Sequence, residues 1–241
     1  MSHDAAPMTY EDAVARTGQD EFKRGRLIAA TLVIVGLAAF AFLYVTGQVK
    51  SAWQAYLVNL VFFMGLAQAG IMWAAIARTA RGHKWASNLV RYAEALSAFL
   101  PIAYVLTLIF LLAGGSSLYS WVKEPIAQKA PWLNWPFFAA RNAVLMGALV
   151  LMSRHMLGLS LKPDLARLKD RVPARLQALY AKRTAKPAPD DAKTQHTLLN
   201  LSPWFIVLYC LVYTIWAFDL LMALDPHWIS TLFGAFIFMS T

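Results

Sequence analysis

The sequence predicts an all-α fold, a polytopic transmembrane helical bundle with five full spans plus a truncated sixth. Three observations lead there. Of 241 residues, 59% are apolar and 15% charged, whereas a soluble domain carries about 25% charged residues. The apolar residues gather in five runs, each near the roughly 20 residues that cross a bilayer as a helix. The cations fall unevenly between those runs. Such blocks exclude a soluble domain, a disordered chain and a disulfide scaffold. A transmembrane β-barrel would show short segments of alternating polarity and is excluded too.

Residues 1–26 are polar, with Asp4, Glu11, Asp12, Asp20 and Glu21 beside Arg16, Lys23, Arg24 and Arg26. That is too long and too acidic for a secretory leader, so it reads as a retained tail. The first span is expected over 27–45 and the second over 53–77, where Gly65, Ala69 and Gly70 would let another helix approach closely. The third is expected over 92–112, with Glu94 one turn in and Pro101 mid-span, its freed carbonyl satisfied by neighbouring helices. The fourth starts near Pro136, which suits a first helical turn, and ends near Leu159. It carries Arg141 and Asn142 near one end, and Arg154 and His155 near the other. The four spans thus fill residues 27–159.

Residues 160–197 form a basic loop. Leu165, Leu168, Val172, Leu176 and Leu179 recur at steps of three and four over 164–183, opposite a basic face. This predicts an amphipathic helix on an anionic membrane surface, broken at Pro173, and not a nucleic-acid site. Pro187, Pro189, Asp190 and Asp191 mark a solvated linker over 184–194. The segment 198–241 holds the fifth span, 201–223, with Asp219, and the start of a sixth. From Ile229 the sixth offers 13 residues, about 20 Å against a core of roughly 30 Å. The expectation is that the chain is a piece of a longer protein.

Orientation follows from Lys and Arg. The tail, the 78–91 connection and residues 154–193 hold 18 of them, against Lys50, Lys123 and Lys129 on the other side. The positive-inside rule then puts the N-terminus and both basic loops in the cytoplasm. Trp121, Trp132, Trp135 and Trp228 would form an aromatic belt at the outer boundary.

An ionisable group inside a membrane needs a reason. Glu94 follows Arg91 by three residues, on the same helical face. Two readings are open, an interfacial structural ion pair or a proton-loading carboxylate. Asp219 shares a stripe with Tyr209, Tyr213 and Trp216, and Arg141 lies at similar depth on an adjacent antiparallel span. Here too two readings stand, a buried ion pair fixing the helices or a polar cluster facing a quinone headgroup or proton exit. Asp225 would cap the sixth helix with Pro226 in its first turn, leaving His227 partly exposed. His155 would be an interfacial partner. Cys210 is a lone thiol, and His3, His83, His155, His196 and His227 offer no mid-span pair for a haem. The chain is therefore expected to bind no redox cofactor or metal itself.

Three stretches resemble the larger NrfD-type (polysulfide-reductase-like) membrane subunit of alternative complex III, a bacterial quinol:cytochrome c oxidoreductase. Residues 218–241, FDLLMALDPHWISTLFGAFIFMST, are similar to that family's FDW-M-LDPHW-ST-FG run. Residues 132–142, WLNWPFFAARN, and 85–101, WASNLVRYAEALSAFLP, resemble two further family stretches in the same order. Leu220 stands where the family usually has tryptophan, and the family continues into several more helices. The resemblance implies an NrfD-like fold of two four-helix bundles in the bacterial cytoplasmic (inner) membrane. It also implies a subunit without redox cofactors of its own, beside a second NrfD-type subunit, an iron–sulfur protein and haem c proteins, with quinone or quinol bound. Glu94, Arg141, Asp219, Asp225 and His227 are the positions that carry over. The expected function is thus an integral subunit of a respiratory quinol oxidoreductase, contributing a quinone-facing surface or a proton pathway. A purely structural anchor is the alternative. A secondary transporter fits less well, because its charges would lie at the midplane.

Overall fold

The computed structural model describes residues 23–82, 86–168 and 191–240. The tail over 1–22, most of the expected surface helix (169–183) and the linker up to 190 lie outside the described residues. Every described element is helical. Five helices are long and apolar enough to cross a membrane, and the chain is a multi-pass membrane protein.

Helix α1 (Lys23–Val45) takes in the cationic cluster that was expected only to precede it. A turn with Gly47 at φ 79° leads into α2 (Val49–Thr79), 31 residues long. At 1.5 Å per residue α2 reaches about 46 Å, longer than the hydrocarbon core. Its buried residues Trp53, Leu57, Leu60, Met64, Ala67, Ile71 and Ala74 recur at steps of three and four, so one face is turned inward. That makes α2 the hub, packed on α1, on both halves of the third span and on the fifth.

The third span is not one helix. It consists of α3 (Ser87–Leu96), a 3-10 turn (Ser97–Phe99) and α4 (Leu100–Ala113). Pro101 therefore sits in the first turn of α4, not mid-helix. Its missing N–H removes no bond that the helix needs there. The Leu100 N–H bonds the Ser97 carbonyl, and the Ser97 hydroxyl donates to the Glu94 carbonyl at 2.5 Å. Three short 3-10 turns then lead to α5 (Trp135–Leu168). Asn134 caps α5, its Oδ1 accepting the Phe137 N–H at 3.1 Å.

Helix α5 runs nine residues beyond the expected end at Leu159, passing through Pro163. Residues 164–168, expected to open a separate surface helix, continue α5 instead. Contacts hold this extension. Arg91 pairs with Asp164 at 2.7 Å and donates to the Ser160 carbonyl at 3.1 Å. Helix α6 (Asp191–Trp216) likewise begins ten residues before the expected start. It widens into a π turn (Ala217–Leu221), tightens into a 3-10 turn (Met222–Leu224), and is followed by α7 (Phe233–Ser240). Asp225 does not cap this last helix. Its Oδ1 accepts the His227 N–H at 3.2 Å, closing a local turn well before Phe233. A short polar side chain competes for its own backbone in this way wherever a loop allows.

No residue of α1 is buried, and large apolar side chains elsewhere point outward, among them Phe62, Ile102, Leu151 and Trp204. The interior holds Phe110, Phe138, Met146, Phe205, Tyr209, Tyr213 and Trp216. Apolar surface outside and buried polar groups inside is the arrangement a bilayer favours. The aromatic belt needs one correction. Trp132 and Trp228 are exposed, but Trp121 is buried, its ring tilted against those of Tyr119, Trp135 and Phe138 at 5.4, 6.3 and 5.4 Å.

Candidate functional site

Two charged clusters lie at opposite ends of the bundle, both built on α5. At one end, Glu94 of α3 is 2% exposed. The expected Arg91–Glu94 pair forms at 2.7 Å, and Arg78 of α2 grips the other carboxylate oxygen. The Ser160 hydroxyl of α5 accepts from Arg78 at 2.9 Å and from Arg91 at 2.8 Å. Two helices therefore meet on one carboxylate, and α5 joins them through the Ser160 hydroxyl shared by both arginines. Arg78 has no place in the motif that pointed to Glu94. It lies sixteen residues upstream, and only the α2–α3 packing brings it near.

At the other end, Asp219 is fully buried within the π turn. Arg141 of α5 holds it bidentately, Nε to Oδ2 at 2.8 Å and Nη2 to Oδ1 at 2.9 Å. Asn142 Nδ2 donates to Oδ2 at 2.8 Å, and the Trp132 indole N–H donates to Oδ1 at 3.1 Å. The Arg141 guanidinium also lies 3.8 Å over the Trp132 ring and 4.6 Å from that of Phe137. Planar guanidinium suits both tasks, matching a carboxylate with two donors and stacking on an aromatic face. The Asp219–Arg141 pair was legible from the sequence; the Asn142 and Trp132 contacts were not.

The π turn explains how α6 can end here. A helix terminus leaves carbonyls without partners, which is costly away from water. The connector between α4 and α5 supplies donors: Tyr119 OH bonds the Leu220 carbonyl at 3.1 Å and Trp121 Nε1 the Ala223 carbonyl at 3.0 Å. Burial first, and then the nearby charge of Asp219, push the Tyr119 phenol well above its usual range. It stays a neutral donor.

Between the clusters runs a polar line on one face of α5. Ser160, Ser153 and Asn142 are spaced by seven and eleven residues, close to two and three whole turns. Over eighteen residues they span about 27 Å, nearly the thickness of a hydrocarbon core. Midway, Gln68 of α2 donates to Ser153 Oγ at 2.7 Å, while Gln68 Oε1 is buried with no donor among the described residues. The seven-and-eleven spacing was the sequence signal available for this line.

The aromatic stripe before Asp219 does not face an open surface. Tyr209 and Tyr213 stack at 4.5 Å, Tyr213 meets Trp216 at 5.6 Å, and all three are buried. Tyr213 OH donates to the Met64 carbonyl and Tyr209 OH to the Phe238 carbonyl, each at 3.3 Å. All three side chains are packed in the interior. A cavity of about 320 Å³ does open beside the Asp219 cluster, lined by Trp132, Trp228, Phe218, Met222, Gln128 and Lys129. Asp225 and His227 are exposed in the turn above it, apart from the Asp219 hydrogen bonds, and His155 is also exposed. Among the described residues no three of His, Cys, Asp and Glu gather as a metal-binding group.

No protein-family model matches the chain, and no curated protein matches it. The assignment of a role rests on the residues.

Proposed function

We propose that this chain is an integral membrane subunit of a respiratory quinol:cytochrome c oxidoreductase, sited in a bacterial inner membrane with its basic end in the cytoplasm. Its contribution is a proton path with a quinone-facing surface at one end. The carrying observation is the polar line from Glu94 and Ser160, through Gln68 and Ser153, to Asn142 and Asp219. Buried polar groups are expensive in a membrane interior, and a file of them along one face of a span suits a proton path, here with intervals of about 10 and 16 Å along α5 between Ser160, Ser153 and Asn142. Protons cross the intervals of this file on water, which buried polar groups ordinarily hold.

The residues present fit a quinol headgroup in the cavity beside Trp132. Trp132, Trp228 and Phe218 offer flat apolar walls, and Gln128 and Lys129 are donors for its oxygens. Oxidation of a quinol by partner subunits releases two protons. In this chain, Trp132 links that cavity directly to the Asp219 carboxylate, while Arg141 and Asn142 keep the carboxylate in place. Electron-carrying groups belong to the iron–sulfur and haem c partners.

The test is Gln68→Leu, which touches neither ion pair. In the assembled complex reconstituted in vesicles, proton movement per turnover is expected to fall at least about tenfold, with complex yield unchanged. Undiminished proton movement in that variant, together with Glu94→Gln and Asp219→Asn, would remove the pathway.

One observation favours a second reading, a structural anchor. Both carboxylates are saturated by partners, so each ties together separate segments of the chain. On that reading Asp219→Asn lowers the amount of complex, while every complex that assembles turns over normally.

A further inference from the structure

A groove at the basic end borders the start of the proton line at Glu94 but serves no step in it. It is a cavity of about 690 Å³ between the third span and α5, lined by Ala95 and Ala98 on one side and Arg154, Leu157, Gly158, Leu161 and Lys162 on the other. Arg154, Gly158 and Lys162 are four residues apart along α5, so they form one stripe, with the two cations about 12 Å apart along the axis. Gly158 lies between them, and a Cβ built there would meet nothing within 4 Å. The floor of the groove is thus bare backbone with a cation at each end. Arg91 and Glu94 close its inner side, but they are already bonded to each other. Among the described residues neither Arg154 nor Lys162 meets a carboxylate.

We propose that this groove binds an anionic phospholipid. The phosphate lies over Gly158, where long Arg154 and Lys162 side chains reach it from either side, their stems along apolar surface. One acyl chain follows Ala95, Ala98, Leu157 and Leu161, which are small or aliphatic and open toward the bilayer. Basic recesses between transmembrane helices favour acidic headgroups by charge. A zwitterionic lipid would fill the same groove without that attraction. This proposal does not depend on the proton pathway or on a respiratory role.

The experiment is native mass spectrometry of the detergent-solubilised full chain titrated with phosphatidylglycerol, phosphatidylcholine or inorganic phosphate. Expected is retention of phosphatidylglycerol well above phosphatidylcholine, weakened about thirtyfold in the Arg154→Gln, Lys162→Gln double variant. Gly158→Leu should block the groove sterically with both cations kept, because nothing stands where its Cβ goes. Equal retention of the two lipids would overturn the proposal. So would wild-type retention in either variant, or phosphate binding as tightly as the lipid.

Discussion

Arg141→Leu is expected to destabilise the protein by about 3–5 kcal/mol, the cost of leaving a buried charge without its partner. Asp219 is fully buried and Arg141 is only 8% exposed. Once the guanidinium is removed, Asn142 and Trp132 supply one hydrogen bond each and no compensating charge. In detergent the melting temperature should fall on the order of 10 °C. Asp219→Asn alone should cost less, since a neutral amide can still accept from Trp132. The double variant Arg141→Leu, Asp219→Leu should recover much of the loss, because replacing a buried pair by apolar groups is often close to neutral. A single Arg141→Leu variant that melts like the wild type would show that this pair does not hold α5 to the π turn.

The second large effect belongs to a glycine. Gly70→Ala should cost about 3 kcal/mol or more, because the added Cβ would fall 1.9 Å from the Ala93 carbonyl oxygen and 2.9 Å from its carbon. Those are backbone atoms and cannot rotate away. The helices must separate, and α3 carries Glu94, so Arg78 loses its grip on the carboxylate as well. A matched control exists within the same chain: Gly158→Ala meets nothing and should leave the melting temperature unchanged or slightly raised. Thermal melting of both variants in one detergent decides the matter. Equal behaviour of the two would mean that α2 and α3 are not in backbone contact at Gly70.

The pairings show where sequence reasoning succeeds. Arg91 and Glu94 are three residues apart on one helix, so helical periodicity alone put them together. Arg141 and Asp219 were matched by depth, each near the same end of adjacent antiparallel spans. Arg78, Ser160, Asn142 and Trp132 escaped because each needs a crossing angle or a turn geometry that no local spacing encodes. The stripe of Tyr209, Tyr213 and Trp216 was visible, but which way it faced was not. Asp219 sits in a π turn, which rotates its side chain away from the stripe and toward α5. The cap expected of Asp225 for the last helix is not made, because the chain closes a local turn there; Asp225 and His227 were candidates through the family resemblance, not through that cap.

By itself, the sequence determined that the chain is helical, where the five spans lie, with ends off by up to ten residues, and which few charges lie within them. Those properties follow from transfer energies and from backbone groups that must bond within each helix, both local quantities. Only the tertiary structure decided which helix face looks inward, that the third span breaks before Pro101, and that α5 continues past Pro163. It alone aligned Ser160, Ser153 and Asn142 with partners on other helices. The physical reason is that lipid is as apolar as leucine, so hydrophobicity places a helix in the membrane but does not choose its neighbours. That choice falls to close packing at positions such as Gly70 and to hydrogen bonds among buried polar groups.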